Sequence, residues 1–301
     1  MSISRQNLSI VIVTFKSNAV IHECIKSIDK EIKIIIVDNS NDLELKKELE
    51  EIYENVSCVL SAENLGMGRG NNLGIKKVNT DFVLILNPDV VLEKNTIEEL
   101  IIASQKVSNF SIIAPILSNK DYPNYKLNKN EKLSSEINSP FKVKSVDGFA
   151  MLINKRKIDT IMQQENLNKN NDYFDENFFM YLENDDLCKR MIDRNEEIYI
   201  VPTSKINHLG AKAVDEKYKN EVEFSRNWHW IWSKFYFRKK HYGYLRAVMC
   251  GFPKFFFSIL KYIYYLIINN RDKKKKYLNR ASGFFNAAIG KSSWYRPNIN
   301  F

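Results

Sequence analysis

The stretch LSIVIVTF, residues 8–15, decides the fold, because almost all of its side chains are apolar and most are β-branched. Similar runs follow at residues 32–38 (IKIIIVD), 56–62, 82–87 (FVLILN) and 111–117. Runs that are apolar on both faces, without polar alternation, predict strands buried on both sides of a parallel sheet.

The segments between these runs have the periodicity of helices, at residues 19–27, 43–53, 70–78 and 96–107. Alternation of strand and helix predicts an α/β layer fold, in which ligands bind beyond the carboxyl ends of the strands. We therefore expect the chemistry just after Phe15, Asp38 and Asn87.

Length and composition exclude several protein classes. A chain of 301 residues with 44% hydrophobic and 27% charged residues can bury a large core, which excludes disordered, collagenous and wholly membrane-embedded chains. The cysteines lie far apart without a Cys-x-x-Cys pair, at Cys24, Cys58, Cys188 and Cys250. They predict reduced core thiols of a cytoplasmic protein, and the N-terminus has no signal-peptide pattern.

Charge is divided unevenly along the chain. Residues 201–301 hold 20 Lys and Arg against 5 Asp and Glu, a net of +15, whereas residues 1–200 have a net of −6. All four tryptophans also lie in this basic part. Cations interleaved with aromatic side chains suit a membrane surface or a nucleic acid.

The second half of the chain is less regular. Residues 118–140 lack periodicity and predict a long surface loop, followed by a strand at 144–153. A helix is predicted at 183–194, a strand at 197–206, and helices from Asp215 to the end.

Two acidic residues follow predicted strands. Asp38 could accept hydrogen bonds from a nucleoside, or simply cap the helix that begins near Leu43. Asp89, in Asn87-Pro88-Asp89, could present a carboxylate to a divalent cation that holds a diphosphate, although the same three residues favour a β-turn.

A glycine-rich segment runs from Asn64 to Gly74 as NLGMGRGNNLG. Its glycines permit close backbone approach, and exposed N–H groups at a helix start attract anions. It is not G-x-G-x-x-G and it follows the third strand, so a dinucleotide-binding fingerprint is disfavoured. The alternative is a tight strand-to-helix turn.

Together these motifs resemble those of glycosyltransferase family 2, and most closely its rhamnosyltransferase-like branch. The resemblance runs in order from about residue 8 to 210, through Thr14-Phe15, Asn64-Leu-Gly66, Gly70-Asn71-Asn72-Leu-Gly74, Asn87-Pro88-Asp89, Asp147-Gly148-Phe149-Ala150, the stretch FDENFFMYLE at residues 174–183, and His208-Leu-Gly210. It implies a GT-A fold (a mixed, mostly parallel sheet flanked by helices) and an inverting, nucleotide-sugar-dependent transferase of bacterial polysaccharide assembly.

The resemblance also implies residue roles. Binding of the nucleotide-sugar is expected from Thr14, Phe15, Asp38, Asn64, Gly66, Asn71, Asn87 and Gly148. Asp89 is expected to hold Mg²⁺ or Mn²⁺, with His208 as a second metal ligand or a contact to the diphosphate. The structural alternatives are a packed histidine at position 208 and a strand-edge bulge at Gly148.

The catalytic base departs from the family pattern. The family usually has Glu-Asp-x-Asp-Leu-Cys, with its second residue as base, but this chain has Asn184 there, and an amide takes no proton. The flanking carboxylates, Asp185 and Glu183, are the candidates, and one residue of helix unwinding would favour Asp185. Asp186 is expected to pair with Arg190 or to cap the helix. The departure is also consistent with a weakened or inactive enzyme.

The resemblance divides the chain into a catalytic domain, residues 1–215, and a basic helical region, residues 216–301. Within the first, residues 1–117 would bind the nucleotide and residues 141–215 the acceptor. Residues 249–268 predict an interfacial helix more than a membrane span, because Lys254, Lys261 and Pro253 interrupt them. A packed helical subdomain with a solvated basic face is the alternative.

The resemblance implies a polyprenyl-diphosphate-linked saccharide acceptor at the inner face of the cytoplasmic membrane, and no nucleic acid. The implied donor is dTDP-L-rhamnose, with a UDP-hexose or UDP-N-acetylhexosamine as the alternative. A non-catalytic basic adaptor would not need Asp38 and Asp89 at strand ends. A nucleotidyltransferase would typically carry glycines in the loop after the first strand, where this chain has Thr14-Phe15-Lys16-Ser17-Asn18.

Overall fold

The structure, a computed structural model, describes residues 3–119, 122–128, 138–164, 173–209 and 214–299. The chain forms two compact units. The first comprises Met1–Leu65, Arg69–Asp175 and Asn184–Asp215, and the second comprises Gly66–Gly68, Glu176–Glu183 and Glu216–Phe301.

The first unit is built on a mixed β-sheet with helices. Its strands are β1 (Leu8–Thr14), β2 (Lys33–Asp38), β3 (Val56–Leu60), β4 (Phe82–Leu86), β5 (Val90–Leu92), β6 (Phe110–Leu117), β7 (Tyr125–Lys126), β8 (Phe141–Lys142), β9 (Ser145–Val146), β10 (Ala150–Asn154) and β11 (Glu197–His208). The helices in this part of the chain are α1 (Ile21–Lys26), α2 (Leu43–Ile52), α3 (Gly66–Ile75), α4 (Thr96–Lys106), α5 (Lys155–Gln164) and α6 (Glu183–Ile192).

The order of the main sheet is β3-β2-β1-β4-β10-β6-β11-β5, and β8 also pairs with β11. Strands β3, β2, β1 and β4 pair in parallel with one another, as do β6 and β11, whereas β10 runs antiparallel between β4 and β6. The predicted α/β layer fold with a mixed, mostly parallel sheet is therefore confirmed.

Successive residues of the central strands fill two different cores. Ile10 and Ile12 of β1 belong to the core on one face of the sheet, and Val11 belongs to the core on the other. Ile34 and Ile35 of β2 divide in the same way. This explains the unbroken apolar runs, since both faces of a strand inside an α/β layer fold are covered.

The strand predicted at residues 144–153 is in fact two strands. β9 pairs with β7 in a separate two-stranded sheet, and β10 joins the main sheet. Between them the backbone changes partners, because the Asp147 N–H donates to the Asn124 carbonyl and the Phe149 carbonyl accepts from the Asn87 N–H. The loop predicted at residues 118–140 contains strand β7, so that prediction is also corrected. Residues 120–121 and 129–137 of this segment lie outside the described residues.

Helix α3 begins four residues before the predicted start at Gly70. Gly70 and Gly74, which lie within the predicted helix, bring it close to β1. A Cβ on Gly74 would lie 2.4 Å from Val11 Cγ1, and one on Gly70 would lie 2.9 Å from Val13 Cγ1. The helix can approach the sheet this closely only because these positions have no side chain.

The second unit is mainly helical, with α7 (Lys219–Tyr242), α8 (Tyr244–Ile267) and α9 (Arg271–Ala288). Its core holds Trp228, Trp232, Phe235 and Phe284. Residues 176–183 belong to the same unit: Phe178 packs edge-on against Tyr236, and the Ser233 hydroxyl donates to the Met180 carbonyl at 2.7 Å. No helix in the described ranges has an apolar stretch long enough to cross a membrane.

The packing of α3 on β1 gives a first prediction. Gly74→Ala should lower the free energy of unfolding by about 1–3 kcal/mol, because the new methyl overlaps the fully buried Val11 side chain. This loss opposes the gain of about 1 kcal/mol that alanine gives over glycine in a helix. Urea denaturation of the purified variant measures it.

The control is the same substitution in a Val11→Ala background, where the overlapping methyl groups are gone. There Gly74→Ala should be neutral or stabilising. An equal loss in both backgrounds would show that close approach to Val11 is not the cause.

Candidate active site

Three neighbouring strands, β2, β1 and β4, end at the same edge of the sheet because they are parallel. Thr14 closes β1 and Asp38 closes β2, and the two residues are partners in the sheet register. The Thr14 hydroxyl donates to Asp38 Oδ1 at 2.8 Å, and both residues are fully buried. Two of the predicted nucleotide-binding residues therefore form one buried unit.

Asp38 does not cap the following helix. Its Oδ2 accepts from the Asp42 N–H at 2.9 Å, and it is the Asp42 side chain that caps α2 by accepting from the Leu45 N–H. The carboxylate of Asp38 thus orders the loop between β2 and α2. Each of its oxygens retains a second lone pair for a donor group of a ligand.

The loop after β1 has an unusual backbone conformation. Phe15 is half-buried, and its N–H donates to the Ser17 hydroxyl at 3.1 Å. Lys16 has a φ of 51°, in the left-handed region, and its N–H donates to Ser40 Oγ. Ser40 follows β2, so this bond fastens the loops after two adjacent strands to each other.

The Asn87-Pro88-Asp89 segment is a β-turn, as its composition favours, because the Val90 N–H donates to the Asn87 carbonyl at 3.2 Å. The turn does not exclude a ligand role for Asp89. This residue is 2% exposed, and among the described residues no hydrogen-bond donor reaches its buried Oδ1. A buried carboxylate oxygen in this state is costly unless a further group binds it.

His208 lies beside this carboxylate. Strand β5, which follows the turn directly, pairs with β11 and places His208 opposite Val90. The His208 Nε2 is 3.3 Å from Asp89 Oδ1, in an orientation that makes no hydrogen bond. The imidazole stacks on Phe149, with ring centroids 4.3 Å apart. Asp89 and His208, which the resemblance implies at one metal site, therefore lie next to each other in the fold.

These two side chains fit a divalent cation that is only partly held by protein. No cluster of three or more His, Cys, Asp and Glu side chains suited to a metal occurs among the described residues. Magnesium is commonly bound by one or two carboxylates together with substrate phosphates, so Asp89 alone can supply the protein ligand that such a site needs. An imidazole is a softer ligand, which makes His208 a better match to Mn²⁺ than to Mg²⁺.

The glycine-rich segment places one unsatisfied amide in the interior. Asn71 is buried, and its Oδ1 has no hydrogen-bond donor in the described structure. Asn72, in contrast, has a structural role, because its side chain both donates to the Phe174 carbonyl and accepts from the Phe174 N–H. Asn64 is half-buried in the loop just before α3.

The acceptor-side residues meet at the start of α6. A Cβ on Gly148 would lie 3.1 Å from the Asn184 Cβ, so the missing side chain leaves room for Asn184. The Asn184 Nδ2 donates to the Val146 carbonyl at 2.7 Å. Asp186 is buried and pairs with Arg190 at 2.8 Å, which confirms the expected i,i+4 ion pair.

The candidate base Asp185 is engaged by a lysine. Both of its carboxylate oxygens accept from Lys126 Nζ at 2.6 Å, and its side chain is 12% exposed. The unwinding expected to expose it does not occur, since α6 begins at Glu183.

Asp147 is a carboxylate that the sequence analysis did not select. Its Oδ2 accepts from the Tyr122 hydroxyl at 3.0 Å. Burial raises the pKa of Asp147, opposed by the Tyr122 hydrogen bond and by Lys126, while the negative charge of Asp185 adds to the rise. A carboxyl with a raised pKa is a stronger base once it is ionised.

Glu183 and Gly66 belong to the second unit. Glu183 is buried and follows two non-glycine residues in the left-handed region, Tyr181 with φ 70° and Leu182 with φ 69°. Burial raises the pKa of Tyr181 to about 12, and the charge of Glu183 adds to this rise. Gly66, with φ 78°, has no space for a side chain, because a Cβ would lie 2.2 Å from the Phe179 carbonyl oxygen.

Comparisons with known proteins identify the family. Residues 9–181, more than half of the chain, match the family described as Glycosyl transferase family 2. The chain belongs to glycosyltransferase family 2. It is accordingly a glycosyltransferase that uses a nucleotide-sugar donor.

Relatives agree with this membership. The chain is 29% identical to the low-salt glycan biosynthesis hexosyltransferase Agl10 of Haloferax volcanii, over 70% of this chain and 69% of that protein. It is 26% identical to the rhamnosyltransferase WbbL of Escherichia coli, over 67% of this chain and 80% of the relative. The fold resembles that of a solved GalNAc-T7 structure, with a TM-score of 0.53 and 16% identity, over 74% of this chain and half of that one. The fold is therefore GT-A.

In this glycosyltransferase the Thr14–Asp38 hydrogen bond gives a prediction about stability. Thr14→Val keeps the shape but removes the donor, leaving a buried carboxylate oxygen unsatisfied. The free energy of unfolding should fall by about 1–3 kcal/mol. Thr14→Ser, which retains the hydroxyl, is the matched control and should lose less. Equal denaturation midpoints for the two variants would contradict the assignment.

Proposed function

We propose that this glycosyltransferase moves L-rhamnose from dTDP-L-rhamnose to a polyprenyl-diphosphate-linked saccharide at the inner face of the cytoplasmic membrane. The product would enter a surface polysaccharide. The observation that carries the proposal is the buried, unsatisfied Oδ1 of Asp89 beside His208, at the sheet edge that also holds Thr14 and Asp38. The similarity to a rhamnosyltransferase supports the choice of sugar.

A hexose is the second candidate for the transferred sugar. It is favoured by the similarity to a hexosyltransferase, which covers slightly more of this chain than the similarity to the rhamnosyltransferase. A UDP-hexose or UDP-N-acetylhexosamine would use the same strand ends, because the diphosphate is common to all these donors. The two candidates therefore differ in the base and sugar that the site prefers.

The donor would be held in three parts. Asp38, ordered by Thr14, would accept hydrogen bonds from the nucleoside, with Phe15, Asn64 and Asn71 lining the remainder of the nucleotide-sugar site. Asp89 and His208 would hold Mn²⁺ or Mg²⁺, which when bound neutralises charge on the departing diphosphate. Asn87 and Gly148 would flank the sugar.

Transfer with inversion is a single in-line displacement. The oxygen of the acceptor hydroxyl forms a bond to the anomeric carbon while the bond from that carbon to the diphosphate oxygen breaks. The hydroxyl proton must pass to a carboxylate on the side opposite the leaving group. The residues around Gly148 and Asn184 would supply that carboxylate.

Three carboxylates are candidates for the base. Asp185 and Glu183 follow from the sequence, and Asp147 is added by the structure. Asp147 immediately precedes Gly148, whose Cβ position lies 3.1 Å from the Asn184 Cβ, so its backbone borders the place of the family's usual base. Both carboxylate oxygens of Asp185 are occupied by Lys126, whose Nζ donates to each of them. These contacts favour Asp147, with Asp185 and Lys126 setting the charge around it.

A first experiment tests the donor site. Calorimetric titration of dTDP and UDP, each with and without Mn²⁺, should show Mn²⁺-dependent binding with preference for dTDP. Asp89→Asn should weaken the Mn²⁺-dependent binding by about tenfold or more, because the carboxylate charge is lost. Glu54→Gln removes an exposed carboxylate of the same unit and should change nothing.

The outcomes separate the alternatives. Preference for UDP would retain the site and replace the rhamnosyl donor. Unchanged Mn²⁺-dependent binding in Asp89→Asn would remove Asp89 from the mechanism.

A second experiment identifies the base. Asp147→Asn should lower kcat by about 10²–10⁴-fold, because general base catalysis contributes that much, with donor binding retained. Asp185→Asn and Glu183→Gln should have smaller effects. The base acts when it is ionised, and the pKa of Asp147 is raised. As the pH is lowered, wild-type activity should therefore begin to fall at a pH above the usual carboxyl pKa of about 4. This acidic loss of activity should be absent in Asp147→Asn. The largest loss in Asp185→Asn or Glu183→Gln would assign the base there instead.

A further inference from the structure

The second unit contains a cleft of about 300 Å³ formed by residues of α7, α8 and α9. Three cationic side chains line it: Lys254 and Lys261 from α8, and Arg280 from α9. The two lysines are seven residues apart and so lie on one face of their helix. No acidic side chain lines the cleft among the described residues.

The cations of the cleft are not neutralised by carboxylates. Arg280 donates through Nε to the neutral Asn227 amide at 2.7 Å, and Lys261 contacts the Tyr277 hydroxyl at 3.3 Å. Neither they nor Lys254 form an ion pair in the described part of the chain. The cleft therefore concentrates positive charge, which is the condition for binding a phosphate.

Acidic residues of the same unit pair with lysines elsewhere. Glu221 pairs with Lys275 at 2.7 Å, and Glu223 lies 3.7 Å from Lys276. Neither of these lysines lines the cleft. Some basic side chains of this unit are thus engaged in surface ion pairs, whereas those of the cleft have no carboxylate beside them among the described residues.

An apolar surface accompanies the cleft on the same helix. Side chains spaced three or four residues apart along α8 are 45–77% exposed and form one stripe, at Met249, Phe252, Phe256, Leu260, Ile263 and Ile267. Phe257 is 61% exposed and also lines the cleft, so the apolar surface reaches the cations. From Met249 to Ile267, the stripe extends along about 27 Å of α8.

We propose that the cleft binds the phosphate of an anionic phospholipid and that the apolar stripe of α8 lies among the acyl chains of the same leaflet. The inference rests on the membrane location in the proposed function and deepens it by naming the surface and the lipid class. The net charge of +15 over residues 201–301 complements an anionic leaflet. Trp230 and Tyr277 at the cleft have the amphipathic character that suits the headgroup level.

A bilayer matches both features at once. A soluble phosphate would satisfy the cations but leave the stripe exposed to water, and an apolar protein partner would cover the stripe but leave the cations without an anion. An exposed apolar face of this length is unusual unless something binds it. Burial of the stripe and binding of the phosphate both contribute when α8 lies in the interface.

Vesicle co-sedimentation of the full chain tests the proposal. Vesicles of phosphatidylcholine alone are compared with vesicles containing 30% phosphatidylglycerol, and the protein should bind the anionic vesicles preferentially. Lys254→Gln with Lys261→Gln should weaken this binding on the order of thirtyfold, since each lysine near an anionic surface contributes about fivefold. Phe256→Ala with Leu260→Ala should weaken it by about tenfold or more, because apolar area is lost.

Matched controls separate specific from general effects. Lys239→Gln with Lys240→Gln makes the same charge change at exposed positions of α7 outside the cleft. Leu43→Ala with Ile52→Ala truncates exposed apolar side chains of the first unit. Both should retain most of the binding, and thermal melting establishes that every variant is folded.

Several results would overturn the proposal. One is absence of wild-type binding to the anionic vesicles, and another is an equal loss in the α7 lysine control, which would indicate general charge attraction. Binding only to phosphatidylcholine vesicles that contain a polyprenyl diphosphate would reassign the cleft to the acceptor lipid. Binding of dTDP and UDP is measured without vesicles, so failure of the donor site and failure of the lipid site are seen separately.

Discussion

A parallel sheet buried on both faces places its polar side chains where its strands end, and the candidate active site follows from that constraint. Ile10, Val11 and Ile12 of β1 alternate between two apolar cores, and Thr14, the last residue of the strand, presents a polar side chain at the sheet edge. The buried Asp38 opposite it is tolerated because it accepts two hydrogen bonds. The same edge receives Asp89 after β4, and no donor in the described part of the chain bonds its Oδ1.

How far the sequence predicts this architecture depends on the length of each element. The runs that became β1, β2 and β4 are long and uniform enough to be recognised, and their shared direction then places Thr14, Asp38 and Asn87 together. The strands that complete the site are two or three residues long and carry no periodicity. Strand β5 is one of them, yet its pairing with β11 is what brings His208 to Asp89. The sequence does not single out Asp147, because it predicts one strand over residues 144–153, although the glycine that follows Asp147 indicates a break in strand pairing.

The basic, aromatic C-terminal part was harder to interpret, because its aromatic residues serve two purposes. On α7, Trp228 and Trp232 are buried in the helical core, whereas Trp230 between them is 39% exposed. On α8 the stripe that includes Phe256 is exposed, while Gly251 and Ser258 are buried. Hydrophobic periodicity identifies one apolar face of a helix, and it loses this power when apolar side chains occupy both faces. The packed subdomain and the exposed apolar surface are therefore compatible properties of one unit.

This chain has an amide at Asn184, where the family usually has a carboxylate, and the charges around this position are consistent with that change. The Asn184 Nδ2 donates to the Val146 carbonyl, and a carboxylate at this position would have no proton to donate and would face that carbonyl oxygen at the same short distance. It would also add a third negative charge to those of Asp147 and Asp185, with Lys126 as their nearby cation. The amide removes both conflicts and fixes the backbone that leads into Asp147. On the proposed assignment, the carboxylate that accepts the proton is that of Asp147, which directly precedes Gly148 in the chain. It replaces a carboxylate at position 184, whose Cβ lies beside Gly148.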